Sequence, residues 1–215
     1  MHIPDGFLDT RTWATMTVVS GGALAIAVRR TKTASSEQRI PLMGVMSAFI
    51  FAAQMLNFPV AAGTSGHFVG GVLAALILGP ATGLLMMTAV LVVQCFVFQD
   101  GGVTALGANI ANMGIIGSSL SYFVYSFLRH GLRLLAGERT AALSAAVVAG
   151  WLSTVASAAA CAAELAVSGT VPLRAALPAM LGVHAVIGIG EGVITALVVS
   201  FLMKVRPDLL QVEKV

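Results

Sequence analysis

The sequence predicts an all-α, polytopic membrane bundle of about seven transmembrane helices, and three observations carry that prediction. Of the 215 residues, 58% are hydrophobic and only 10% charged, where an ordinary soluble domain carries about a quarter. The mean hydropathy is +0.94. The few charges gather at the ends of long apolar runs, so the net charge of +3 reports membrane topology and predicts no nucleic-acid partner.

Taken in order, the chain opens with a polar stretch, residues 1–11, that ends in turn chemistry at Pro4-Asp5-Gly6. A first span is predicted from Trp13 to Val28, just long enough for a bilayer at ~1.5 Å per residue with its flanking anchors. It stops at Arg29-Arg30-Thr31-Lys32. Pro41 opens a second helix that continues to Leu56, and residues 57–66 read as a loop or re-entrant turn. A third, short helix is predicted from His67 to Gly79-Pro80, and a fourth from Ala81 to Phe98, broken by Gln99-Asp100-Gly101-Gly102. The fifth falls within Thr104 to Leu128 and ends at Arg129, with His130 in a solvated loop. The sixth covers Ala141 to Val167 and the seventh Leu177 to Met203. One membrane domain is expected over 1–215: the N-terminal loop 1–11, the bundle 12–206 and a tail 207–215.

Orientation follows from the basic residues. With the N-terminus outside and the C-terminus inside, ten of the twelve Lys and Arg fall on the cytoplasmic side, leaving Arg11 and Arg174 outside. The chain is thus expected in the cytoplasmic membrane of a bacterium or archaeon, in contact with lipid. Met1-His2, the 57–67 loop and the 99–102 turn then share the outer face. Non-helical backbone is tolerated near lipid only where protein buries it or it lines a cavity.

His2 gives that face its chemistry. The amine of Met1, the backbone nitrogen of His2 and the His2 ring can reach one ion, closing a five- and a six-membered chelate ring. Three coplanar nitrogens suit a square-planar metal such as Ni(II) or Cu(II) and leave one position open. His67, opening the third helix where Gly63 and Gly66 permit close backbone approach, is the candidate fourth ligand to join Met1 and His2; a capping or hydrogen-bonding role is the alternative. No basic n-region or small-residue cleavage site precedes Thr12, so no cleaved signal peptide is expected. Asp5 is expected to pin the terminus through amides of its own turn. Asn57, Thr64, Ser65, Gln99 and Asp100 are candidates to orient the ligands or hold the loop. His184 and Glu191 lie seven apart on one helix face, either as part of the site or as a bridge between helices. Gly44, Ala48 and Ala52 form a small-residue row of the kind that lets helices meet closely, here a partner-helix contact. Cys95, Cys161 and the methionines Met43, Met46, Met86 and Met87 read as packing residues.

Several stretches together carry a resemblance. Met1-His2-Ile3-Pro4-Asp5-Gly6-Phe7, Asn57-Phe58-Pro59-Val60 leading to Gly63-Thr64-Ser65-Gly66-His67, Gln99 through Asn109, and His184 through Gly188-Ile189-Gly190-Glu191-Gly192 resemble the CbiM/NikM family in the same order along nearly the whole chain. The family comprises substrate-binding (S) components of energy-coupling-factor (ECF) transporters for cobalt and nickel. The resemblance implies a seven-helix bundle with Ni2+ or Co2+, as transported substrate, held by Met1, His2 and His67 near the outer face, and no prosthetic group. It also implies partners: a transmembrane coupling protein, two cytoplasmic ATPases and a small accessory membrane protein. The sequence carries no Walker motif, so the chain is expected to be no enzyme, with ATP hydrolysis left to those partners. Nickel is slightly favoured over cobalt. The competing expectation is a self-contained secondary transporter or channel that uses His184 and Glu191 for another small solute.

Overall fold

The computed structural model describes residues 1–32, 39–60 and 65–211. Helix α1 spans Thr10–Lys32. Asp9 starts it, accepting the amides of Thr12 at 3.1 Å and Arg11 at 3.4 Å, donors that a first turn otherwise leaves unmet. Helix α2 covers Arg39–Gln54. Two short strands follow, β1 (Phe58–Pro59) and β2 (Ser65–Gly66), paired antiparallel with Phe58 opposite Gly66. Helix α3, Gly71–Leu78, is buried on every side, which is why its sequence is apolar throughout and shows no amphipathic stripe. It ends at Gly79, and Pro80 opens α4, Pro80–Phe98, where a missing amide costs nothing. Helix α5 (Leu106–Ile110), a π-helical segment (Ala111–Leu120) and α6 (Ser121–Ala136) then run end to end. Long helices α7 (Glu138–Val167) and α8 (Leu173–Val205) and a 3-10 turn at Pro207–Leu209 complete the chain.

The first helix runs on through Arg29-Arg30-Thr31 to Lys32 instead of stopping at Arg29, and α7 and α8 begin three and four residues earlier than expected. Two further boundaries move for a local reason. The third helix begins at Gly71, not His67, because Gly70 takes a left-handed φ of 72° and the Val69 and Gly70 amides bond to Glu191. The fifth does not stop at Arg129. Charge alone does not end a helix, and Arg129, His130 and Arg133 ride on α6 until Gly137 breaks it at φ 77°.

Polar side chains are buried within the apolar core of the bundle, while large apolar side chains face outward. Gln54, Gln94, Asn109, His184 and Glu191 are buried, whereas Phe127, Val186, Leu197 and Phe201 are at least 60% exposed. That arrangement is expected where lipid surrounds the helices and polar groups must find partners within. Among the described residues α4, α7 and α8 are each long and apolar enough to cross a membrane.

Small residues do bring helices together, but not in the row read from the sequence. Helices α7 and α8 meet at Gly150 and Gly192, where a Cβ on Gly192 would stand 2.5 Å from the Val147 carbonyl oxygen. Gly44, Ala48 and Ala52 are instead exposed, and a Cβ on Gly44 would meet nothing within 4 Å. The buried residues of α2, Met46, Ile50 and Gln54, lie two positions out of phase and so occupy the opposite face. Both cysteines are buried, as are Met46, Met86 and Met87, in keeping with packing roles.

Candidate metal centre

The first three residues are the centre of the arrangement. Met1, His2 and Ile3 are buried, Met1 and Ile3 completely, so this terminus is held like core. Ile3 is gripped on both main-chain groups. Its amide donates to Asn109 Oδ1 at 2.8 Å, and its carbonyl accepts Asn109 Nδ2 at 3.2 Å and the Gly102 amide at 2.8 Å. The approach is tight enough to require glycine at 102, since a Cβ there would sit 2.3 Å from the Asp5 nitrogen.

Asp5 does pin the terminus, though not through its own turn. Its carboxylate accepts the Thr104 amide at 2.8 Å, the Thr104 hydroxyl at 2.5 Å and the Val103 amide at 3.1 Å. Those bonds to Thr104 hold its pKa below the ordinary carboxylate value. The terminal amine reaches across to β2, donating to the Ser65 carbonyl and, at 2.9 Å, to Ser65 Oγ. Burial lowers the amine pKa from 8.0 to about 5, against the opposing pull of Cys161 and Asp100. Burial, then the nearby amine, pushes His2 down to about 3. His67 is depressed well below its ordinary value by the same two causes and by the His2 ring. Near pH 7 these three nitrogen groups are therefore neutral and keep their lone pairs.

The rings of His2 and His67 lie stacked, centroids 4.6 Å apart and planes 26° apart. His67 Nδ1 donates to the Phe68 carbonyl at 2.7 Å, which leaves Nε2 as its lone-pair nitrogen. His2 Nε2 bonds Gln94 Oε1 at 3.0 Å, leaving Nδ1, which lies 3.3 Å from Asp100 Oδ1. His2 Nδ1 and His67 Nε2 are both buried without a hydrogen-bond partner. Leaving a buried polar atom unmet costs about 1–3 kcal/mol, and two such nitrogens beside a neutral amine describe a place for a cation. Among the described residues no group of three His, Cys, Asp or Glu side chains converges, so a donor set here would have to draw on the main chain.

The remaining sequence candidates divide. Glu191 is a clamp: its carboxylate accepts the amides of Val69 at 2.9 Å and Gly70 at 2.7 Å, fixing the turn just after His67. His184 shares its buried face, with Nδ1 donating to Met180 O at 2.7 Å and Nε2 unpartnered. Asn57 and Gln99 are exposed; Gln99 serves instead as the left-handed cap that ends α4. Thr64 lies outside the described residues. Sequence reasoning missed Gln54 and Gln94 and gave Asn109 no role. The signal was present: an amide side chain inside an apolar span must find a partner. A cavity of about 570 Å3 opens elsewhere, between α1, the π segment and α7, beside Glu164 and Asn112.

Comparison with known proteins finds relatives along nearly the whole chain. The family described as cobalt uptake substrate-specific transmembrane region, CbiM, matches residues 2–209. A protein named as a fused nickel transport protein, NikMN, of Archaeoglobus fulgidus is 41% identical over 98% of this chain and 68% of its own length. The cobalt transport protein CbiM of Geobacter sulfurreducens is 33% identical over 98% of this chain and 61% of its own length. A crystal structure described as a transition metal transporter superposes with a TM-score of 0.85 at 35% identity, covering 95% of this chain and 93% of that one.

Proposed function

The chain belongs to the CbiM family, and from that premise we propose that it captures Ni2+ or Co2+ at the outer face of the membrane as the substrate-binding component of an ECF transporter. Four nitrogens serve as ligands: the Met1 amine, the deprotonated His2 amide, His2 Nδ1 and His67 Nε2. The observation that carries this reading is the pair of buried, unpartnered imidazole nitrogens beside a neutral, buried terminal amine. Four nitrogens in a plane suit Ni(II), so nickel is the favoured substrate. Ser65 and Asp100 flank the donors, while Asp5, Asn109 and Glu191 hold the segments that carry them.

Seven spans, with N-terminus out and C-terminus in, agree with the distribution of Lys and Arg. Release inward is driven by a transmembrane coupling protein and two cytoplasmic ATPases, helped by a small accessory membrane protein. The exposed row Gly44, Ala48 and Ala52 on α2 is available to the coupling protein. The secondary-transporter alternative has less support, because both Glu191 oxygens are occupied by backbone amides.

The test is calorimetric titration of Ni2+ and Co2+ into the native protein, an N-terminally acetylated form and His2→Ala. Loss of binding in both altered forms is expected. Native affinity in either one refutes the terminal chelate.

A further inference from the structure

We propose that Gln54 and Gln94 are positioning residues that set the tautomer of His2, so that Nδ1 and not Nε2 is presented to the cation; this rests on the terminal-chelate reading above. The Val69 carbonyl can only accept, so the 2.8 Å contact from Gln54 identifies the Gln54 nitrogen, Nε2, as the atom that faces it. Gln54 Oε1 is thereby turned towards Gln94, whose Nε2 donates to it at 2.9 Å. Gln94 then presents its own oxygen to His2 Nε2 at 3.0 Å. A neutral imidazole carries one ring proton, and an oxygen acceptor requires that proton on Nε2.

Both glutamines are fully buried, so no water competes to reverse the relay. Turning it around would set Gln54 Oε1 against the Val69 carbonyl, leaving buried acceptors unmet at about 1–3 kcal/mol each. Chelation needs this polarity. Only Nδ1 can close the six-membered ring with the His2 amide, because Nε2 lies on the far side of the imidazole. Nδ1 is also the ring nitrogen left without a hydrogen-bond partner. The relay ends on the segment that carries the other imidazole: Val69 is two residues beyond His67, and its amide is clamped by Glu191. Placement of the His67 loop and the protonation pattern of His2 are thus one linked system.

The test reads the tautomer directly, by nitrogen-15 NMR of histidine-labelled, metal-free protein, with the His2 signals assigned from His2→Ala. The native protein should show a pyrrole-type Nε2 and a pyridine-type Nδ1. Gln54→Met leaves His2's immediate neighbour in place but frees the Gln94 amide to turn. The His2 pattern should become mixed or reversed, and Ni2+ affinity should fall by about 10–100-fold, the usual effect of removing a residue that orients a metal ligand. Gln94→Glu keeps an oxygen acceptor against Nε2 and should preserve the native pattern. A native pattern in Gln54→Met overturns the proposal, as does a reversed pattern in Gln94→Glu. Because the tautomer is read without metal, this failure is distinct from that of the chelate, which fails if His2→Ala binds Ni2+ like the native protein.

Discussion

A site whose donors are neutral before the metal arrives should release few protons when it binds. Free in water, the Met1 amine and His2 ring would have pKa values of 8.0 and 6.5; docked, they stand at about 5 and about 3. Both are bases whose docked values are lowered, so docking is unopposed above pH 8.0. It is opposed increasingly as the pH falls through 8.0 and then 6.5, until the penalty levels off below each docked value. At pH 7 the penalty is on the order of 1–2 kcal/mol for the amine and well under 1 kcal/mol for the ring. Burial of Met1 and Ile3, both fully inaccessible, returns about 1.5–3 kcal/mol each. The terminus therefore stays docked at pH 7.

Metal binding to this docked state must then expel only the His2 amide proton, about one per ion. A frayed terminus would also lose about 0.9 proton from the amine and about 0.2 from the ring, about two in all. Titrating Ni2+ calorimetrically in two buffers of different ionisation enthalpy counts these protons. The expected result is about one per ion and an affinity that falls about tenfold per pH unit near neutrality. A count of two or more, with a correspondingly steeper pH dependence, would refute the claim that the site is prepared in advance. As the pH falls towards 5 the summed penalty grows to the order of the burial gain, so the protection factor of the Ile3 amide should fall there.

The other predictions concern the supports. Glu191→Leu leaves the Val69 and Gly70 amides unmet at about 1–3 kcal/mol each, and Ni2+ affinity measured calorimetrically should fall by about one to two orders of magnitude through the turn after His67. Gly102→Ala forces a Cβ to 2.3 Å from the Asp5 nitrogen; the terminus should undock, seen as lost protection of the Ile3 amide, while the bundle keeps its native melting temperature. One glycine added before Met1 moves the imidazole to third place, where an amine, two amides and Nδ1 supply all four in-plane nitrogens. That variant should bind Ni2+ with or without His67→Ala, whereas in the native chain His67→Ala should weaken binding sharply; dependence on His67 in the extended chain would contradict the donor count.

Composition and the placement of charges made the membrane class and most helices legible, because lipid imposes long apolar runs that any reading detects. Chelate geometry at the terminus is equally local: it depends on covalent spacing in two residues, and the candidates Met1 and His2 follow from that alone. Contacts between distant segments were not legible in this way. Asp5 meets Thr104 and not its own turn, Glu191 meets Val69 and Gly70, and His2 reaches Gln94 and through it Gln54. Asn57 and Gln99, polar and close in sequence to the candidate loops, lie exposed instead. The row Gly44, Ala48 and Ala52 has the right spacing for a helix contact, yet it occupies the outward face of α2. Spacing gives a helix its faces, but which face is buried depends on the neighbours that fold against it. The sequence by itself determined the class of protein and the candidate terminal chelate; tertiary structure alone decided which buried polar groups hold the terminus, because a buried donor or acceptor takes whatever partner the packing brings within reach.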